Sequence, residues 1–181
     1  MASSSPLLSV RHLRVEIPTR QGPLVALDDV SFDIARGEIL GFVGESGAGK
    51  SLTGMAVLGL LDAPAHVAAG QIVFDGQAIE ALPPARMREL RGKRIAAVFQ
   101  DPLLSLNPLL TVGDQLVETL CTHLPMTAAE ARERAIDWLR RVGIPSPAER
   151  VDAYPHQFSG GMRQRIVIAL ALCAEPDLVV A

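Results

Sequence analysis

Residues 39–52 read Ile-Leu-Gly-Phe-Val-Gly-Glu-Ser-Gly-Ala-Gly-Lys-Ser-Leu, and this stretch decides the fold. Ile39 to Val43 is a continuous apolar run of the kind seen in strands buried on both faces, and Leu52 to Leu61 is compatible with a helix. Between them Gly44, Glu45, Ser46, Gly47, Ala48, Gly49, Lys50 and Ser51 fit G-x-x-x-x-G-K-[ST] at every fixed position. Strand, glycine loop and helix in that order is the context the motif requires, which argues against a merely flexible loop. The glycines let successive N–H groups turn inward around phosphate oxygens, at backbone angles a Cβ would obstruct. Lys50 is expected to reach the β and γ phosphates of a nucleotide. Ser51 is expected to place its hydroxyl on a bridging Mg2+, and Leu52 carries the cradle into a helix whose N-terminal dipole favours anions.

Working outward, the composition suits such a layered α/β core. Residues of the set AVILMFWYC make up 49% of the 181 positions but aromatics only 4%, so the core must be aliphatic, as in parallel strands covered by helices. The length fits one domain of ordinary size carrying a small insert. A net charge of −3 gives no broad positive field for nucleic acid or an anionic membrane. Cys121 and Cys173 lack CxxC spacing and read as reduced thiols. The apolar run Ile166–Ala174 is too short to span a bilayer, and the N-terminal MASSSPLLSV lacks the features of an export signal.

Upstream of the loop, Leu8 to Ile34 alternates, with Leu13, Val15 and Ile17 on one side, and predicts small antiparallel strands. Downstream, Asp75-Gly76 predicts a hairpin within Gln71–Ile79 that returns to this antiparallel part. Pro83-Pro84 opens a short helix bearing Arg86, Arg88, Arg91, Lys93 and Arg94, a basic cluster that reads as a solvated face. Ile95 to Phe99 predicts a second buried strand. From Asp101 to Phe158 the chain reads as helical, with a capping box at Thr127–Glu130 and Trp138 on a core face. Met162 to Ala174 is a further helix, and Asp177 to Ala181 begins one more strand.

Two further places carry chemistry. Gln100 stands at the C-terminal end of the Ile95–Phe99 strand, where open α/β sheets place their ligands. Ser159, Gly160 and Gly161 stand at a helix start and form a second anion site remote in sequence from the first.

With these residues in hand, the sequence resembles the ATP-binding subunits of ABC transporters. GESGAGKS (44–51), VFQDP (98–102) and FSGGMRQR (158–165) appear in that family's order, and the similarity covers nearly the whole chain. FQDPLLSLNPLLTVGDQL and YPHQFSGGMRQR look like the dipeptide, oligopeptide and nickel importer subgroup. The general family signature reads LSGGQ, whereas Phe158 and Met162 stand here in its first and last places.

The resemblance implies a P-loop NTPase core of RecA type, an N-terminal antiparallel β part and an inserted α-helical subdomain. Residues 1–100 and 159–181 would form the nucleotide-binding core, and 101–158 the helical part. It implies ATP and Mg2+ as cofactors, held by residues 44–52. It also implies a head-to-tail dimer in which Ser159, Gly160 and Gly161 contact the γ phosphate bound by the partner. Gln100 would sense that phosphate and the Mg2+, as the catalytic and metal-contacting residue alongside Ser51. Two membrane permeases would complete the complex at the cytoplasmic face of the membrane. An extracytoplasmic solute-binding protein would act with it indirectly, and Leu103–Gln115 would lie nearest the permease.

His156 does not match the family's switch histidine. The family's aromatic adenine contact has no counterpart at Arg20, Gln21 and Gly22. Asp177–Ala181 ends where the family places its Mg2+-binding and catalytic carboxylates, so residues 1–181 alone are expected not to hydrolyse ATP and to leave apolar faces exposed. The competing readings are a soluble ATPase of the same family acting on nucleic acid, and a fragment that occupies a transporter dimer without turnover.

Overall fold

The computed structural model describes residues 5–181, so the first four residues of the N-terminal stretch read above lie outside the described residues. The chain divides between residues 88 and 89 into two compact units.

The first unit is organised by a sheet in the order β2-β1-β3-β4, all neighbours antiparallel. Its strands are β1 (Leu8–Thr19), β2 (Gly22–Ile34), β3 (His66–Phe74) and β4 (Gln77–Ala78). The first two are long rather than small, because the chain changes phase within them instead of ending. Leu8 and Val10 point into the core, and so do Leu13 and Val15, an odd step that a regular strand would send to the other face. A bulge corrects it: His12 has φ 48° and its N–H donates to Ser31 Oγ at 2.8 Å. Asp29 on β2 (φ 54°) and Gly70 on β3 (φ 95°) are likewise in the left-handed region. A Cβ at Gly70 would lie 2.4 Å from the His12 carbonyl oxygen, so this position requires glycine. Leu8, Val10, Leu13, Val15, Ile72 and Phe74 form the buried face. Asp75 and Gly76 both have positive φ, as a two-residue hairpin turn requires, and close β3 onto β4.

One expectation fails here. Ile39–Val43 is not a buried strand: among the described residues no strand pairs with it, and Ile39 and Val43 are 97% and 99% exposed. A strand is a shared structure, and apolar residues alone do not supply the ladder partner that buries them. Phe42 is held edge-on against Phe32 of β2, with ring centroids 5.0 Å apart and planes at 81°. Helix α1 (Lys50–Leu58) follows and buries Thr53, Ala56, Val57 and Leu58. Helix α2 (Pro84–Leu90) spans the division between the units.

In the second unit β5 (Ile95–Ala97) and β6 (Leu178–Val180) run parallel, in register from Ile95–Leu178 to Ala97–Val180. Helices α3 (Pro102–Ser105), α4 (Val112–His123), α5 (Ala128–Arg141), α6 (Pro147–Arg150) and α7 (Gly160–Leu172) complete it. A 3-10 turn at Pro155–Gln157 precedes α7. The aliphatic core joins Leu116 and Leu120 of α4, Ala135 and Leu139 of α5, and Ile166 and Ala169 of α7. Capping boxes start both α4 (Thr111–Asp114) and α5 (Thr127–Glu130). The Thr127 backbone N–H, and after it the hydroxyl, hold the Glu130 carboxyl below the usual carboxylate range. Trp138 lies at the rim of this core, half-buried, with the Arg141 guanidinium 5.0 Å from its ring. Both cysteines are free thiols; Cys121 is exposed, while desolvation of the buried Cys173 pushes its thiol up to about 11.

Candidate nucleotide-binding site

The loop from Gly44 to Ser51 turns back on itself before α1 begins. The Ala48 N–H donates to the Glu45 carbonyl at 3.2 Å, and Gly47 and Gly49 both have φ 85°. At Gly49, the residue before the helix, a Cβ would approach Leu27 Cδ2 of β2 to 2.3 Å. Glycine is therefore needed there twice, for the turn and for the close approach to the sheet. Gly47 faces open space. The loop also closes on its own cation: Lys50 Nζ donates to the carbonyl oxygens of Gly44 and Glu45, both at 2.7 Å. The helix start is secured by Thr53, whose N–H and hydroxyl both donate to the Gly49 carbonyl, at 2.8 and 3.0 Å. Gly44, Glu45, Ser46 and Ser51 are exposed and Leu52 is half-buried. A lysine ammonium, a hydroxyl and a backbone turn at a helix start make a donor set suited to phosphate and to a phosphate-bound Mg2+. Among the described residues no cluster of three or more His, Cys, Asp or Glu side chains is placed to hold a metal without such a ligand.

The other sequence-predicted site residues lie in the second unit. Ser159 is the N-cap of α7, its Oγ accepting from the Met162 N–H at 3.4 Å, and an added Cβ at Gly160 or Gly161 would meet nothing within 4 Å. The turn is therefore accessible on its glycine side. Arg163 braces it from behind by donating from Nε to the Pro155 carbonyl at 2.8 Å, and Arg165 donates to the Gly143 carbonyl at 3.1 Å. Gln100 is exposed, three residues past β5, where the ladder has just ended in the Val98 N–H to Val180 carbonyl bond of 2.8 Å. His156 stacks on Tyr154, with ring centroids 5.8 Å apart.

The Leu103–Gln115 segment has two characters. Leu104 and Leu109 are 88% and 82% exposed, whereas Leu106 and Val112 are core, and the Leu103 side chain lies outside the described residues. Gln115 is an internal tie: its amide accepts from Asn107 N–H at 2.9 Å and donates to the Asn107 carbonyl at 3.0 Å. Arg20, Gln21 and Gly22 form the tip of the β1–β2 hairpin and, with Thr19, Pro23 and Leu24, line a shallow concavity there. Within the basic cluster, Arg94 is paired with Asp177. One residue of consequence escaped the sequence: the Arg150 guanidinium lies 5.8 Å from the Phe158 ring and its Nη1 is 4.0 Å from Met162 Sδ. Spacings of eight and twelve residues across a turn carry no periodic signal that would have found it.

Comparison with known proteins gives this geometry its context. The model of the family described as ABC transporter matches residues 27–181. The dipeptide transport ATP-binding protein DppD of Escherichia coli (strain K12) is 45% identical over 175 residues, which are 97% of this chain and 54% of that protein. The protein of the same name from Bacillus subtilis (strain 168) is 49% identical over 176 residues, 97% of this chain and 52% of the relative. The chain thus spans about half the length of these curated relatives. Among solved structures, the dimeric post-hydrolysis state of the ATP-binding cassette MJ0796 bound to ADP and Pi superposes with a TM-score of 0.83 at 26% identity, covering 95% of this chain and 72% of that one. The cbiO1 protein of Clostridium perfringens, part of the ABC transporter complex cbiONQ, gives 0.75 at 28% identity, covering 97% and 64%. With strand-paired β part, glycine loop, helical region and family match in agreement, the chain belongs to the ABC transporter family.

Proposed function

We propose that the chain is the ATP-binding region of a peptide importer, in which ATP binding and hydrolysis drive uptake of a peptide or related solute. The observation that carries this reading is the glycine loop closed by Lys50 on the Gly44 and Glu45 carbonyls at the start of α1. In this reading Lys50 exchanges those carbonyls for the β and γ phosphates. Backbone N–H groups of residues 44–52 would hold the phosphate chain, and Ser51 and Gln100 are the residues that would hold Mg2+. When bound, Mg2+ neutralises charge developing on the phosphate oxygens during transfer.

Ser159, Gly160 and Gly161 bind the γ phosphate of the nucleotide held by a second ATP-binding subunit, so a site is complete only in a head-to-tail dimer. The dimeric cassette with ADP and Pi, which this chain resembles, supports that arrangement. The exposed Leu104 and Leu109 suit contact with one of two permease subunits, with residues 101–158 as the helical part that transmits movement. No helix among the described residues is long and apolar enough to cross a membrane, so association with it is proposed to run through the permeases. Names of relatives, dipeptide transport in two and putative peptide import in a Brucella abortus protein, support peptide as the solute class.

Titration of residues 1–181 with a fluorescent ATP analogue tests the core of this reading. Saturable, Mg2+-dependent binding is expected, weakened about 100-fold by Lys50→Ala through loss of charge-assisted phosphate contacts. Binding that is absent, or indifferent to Lys50→Ala, would overturn it. Uptake of labelled dipeptide by cells carrying the intact transporter, lost with the same substitution, tests the solute class.

A further inference from the structure

Two consecutive glycines at a helix start have more conformational freedom than any other pair, so what flanks them decides where their N–H groups point. Here the flanking residues are Phe158 and Met162, the two places where the chain departs from LSGGQ. Both touch one side chain. The Arg150 guanidinium lies 5.8 Å from the Phe158 ring, and Arg150 Nη1 lies 4.0 Å from Met162 Sδ. Phe158 is itself buried at 3% exposure, so its ring is a fixed platform, and the Met162 N–H is the donor to the Ser159 cap.

A leucine in place of Phe158 offers no π face to a cation, and a glutamine in place of Met162 offers no polarisable sulfur. The two departures are therefore chemically matched to one arginine. We propose that Arg150 is a positioning residue for the Ser159–Gly161 turn, bracing it from both ends, and that Arg150, Phe158 and Met162 act as one unit.

Arg163 and Arg165 do not replace it. Their hydrogen-bond partners are the backbone carbonyls of Pro155 and Gly143, not the side chains at 158 and 162. Arg150 also lies on α6, a four-residue helix, so it couples the turn to the segment before the 3-10 turn.

This inference rests on the proposed role of the turn for its functional arm and on geometry alone for its structural arm. In the structural arm, amide resonances and hydrogen exchange of Gly160 and Gly161 are followed by NMR in residues 1–181, without nucleotide. Arg150→Ala and Arg150→Met, the latter keeping the aliphatic stem, are expected to shift both glycine amides and speed their exchange, with Arg150→Lys restoring them in part. In the functional arm, ATP turnover by the intact transporter is expected to fall about fivefold in kcat for Arg150→Ala, with KM for ATP changed less than about twofold. In a Phe158→Leu, Met162→Gln background the same substitution should lose most of its effect.

Unchanged glycine amides in both Arg150 variants, or an equal effect in both backgrounds, would overturn the proposal. Lys50→Ala separates the two readings. Turnover insensitive to Lys50→Ala sinks the proposed function, while the glycine amides still decide the role of Arg150.

Discussion

The chain carries two glycine-rich helix starts, at Gly44–Ser51 and at Ser159–Gly161, and they are built in opposite ways. The first is closed on itself: its lysine is engaged by its own carbonyls, and Gly49 sits so close to the Leu27 methyl that an added side chain would have to displace it. The second is open on its glycine side: its own Ser159 caps the helix through a bond of 3.4 Å, and Arg163, on the same helix, is spent on the Pro155 carbonyl. A loop that carries its own cation can bind phosphate alone. A turn whose neighbouring guanidiniums, Arg150 and Arg163, are engaged by Phe158, Met162 and the Pro155 carbonyl suits a phosphate whose charge is already met elsewhere, as the proposed sharing of a nucleotide between subunits would provide.

This contrast can be broken by substitution. The largest effect is expected at Gly49, where alanine meets both the Leu27 clash and a φ of 85°: a loss of about 2–4 kcal/mol in thermal or denaturant unfolding, together with nucleotide binding. Gly160→Ala, within α7 and with open space around it, should be neutral or stabilise by up to about 1 kcal/mol. Equal losses at the two glycines would erase the distinction. Next in size, Ser159→Ala should cost about 0.5–1 kcal/mol from loss of the cap and leave ATP-analogue affinity of residues 1–181 unchanged. A fall in that affinity would mean that the open turn serves its own chain's nucleotide.

The smallest effect concerns pH and sets α5 against α7. Glu130 closes its capping box with a carboxyl whose pKa lies below its unfolded value, so its contribution is present above the unfolded carboxylate pKa of about 4.3 and is lost as pH falls through the lowered value. The Ser159 cap has no such carboxylate, and its contribution should be flat with pH. Comparing helical signal of Glu130→Gln and the parent chain from neutral to acid pH checks this: the difference between them should shrink towards acid, and a constant difference would contradict it.

What the sequence disclosed follows local chemistry. The Asp75-Gly76 hairpin, the Thr127–Glu130 box and the Gly44–Ser51 turn are each specified within a few residues, and each stands where the residues place it. Features that depend on distant partners were not legible. The bulge at His12 depends on Ser31 and on the carbonyls facing Gly70, so strands β1 and β2 read as shorter than they are. The tie between the Gln115 amide and Asn107 is another such feature, because nothing local announces it. The buried strand at Ile39–Val43 failed for the same reason in reverse, since its apolar character is local while burial needs a neighbour. Within the candidate site, the turn of the Gly44–Ser51 loop was legible from motif spacing, and the approach of Arg150 to Phe158 and Met162 was not.

That unpaired run has a consequence for handling the molecule. Among the described residues no ladder reaches residues 39–43, and an uncovered apolar run of this kind, which leads directly into Gly44, is a template for strand addition between copies. Phe42, inside this run, packs edge-on against Phe32, so the chain enters the phosphate loop from a segment tied to β2 by an aromatic contact instead of a ladder.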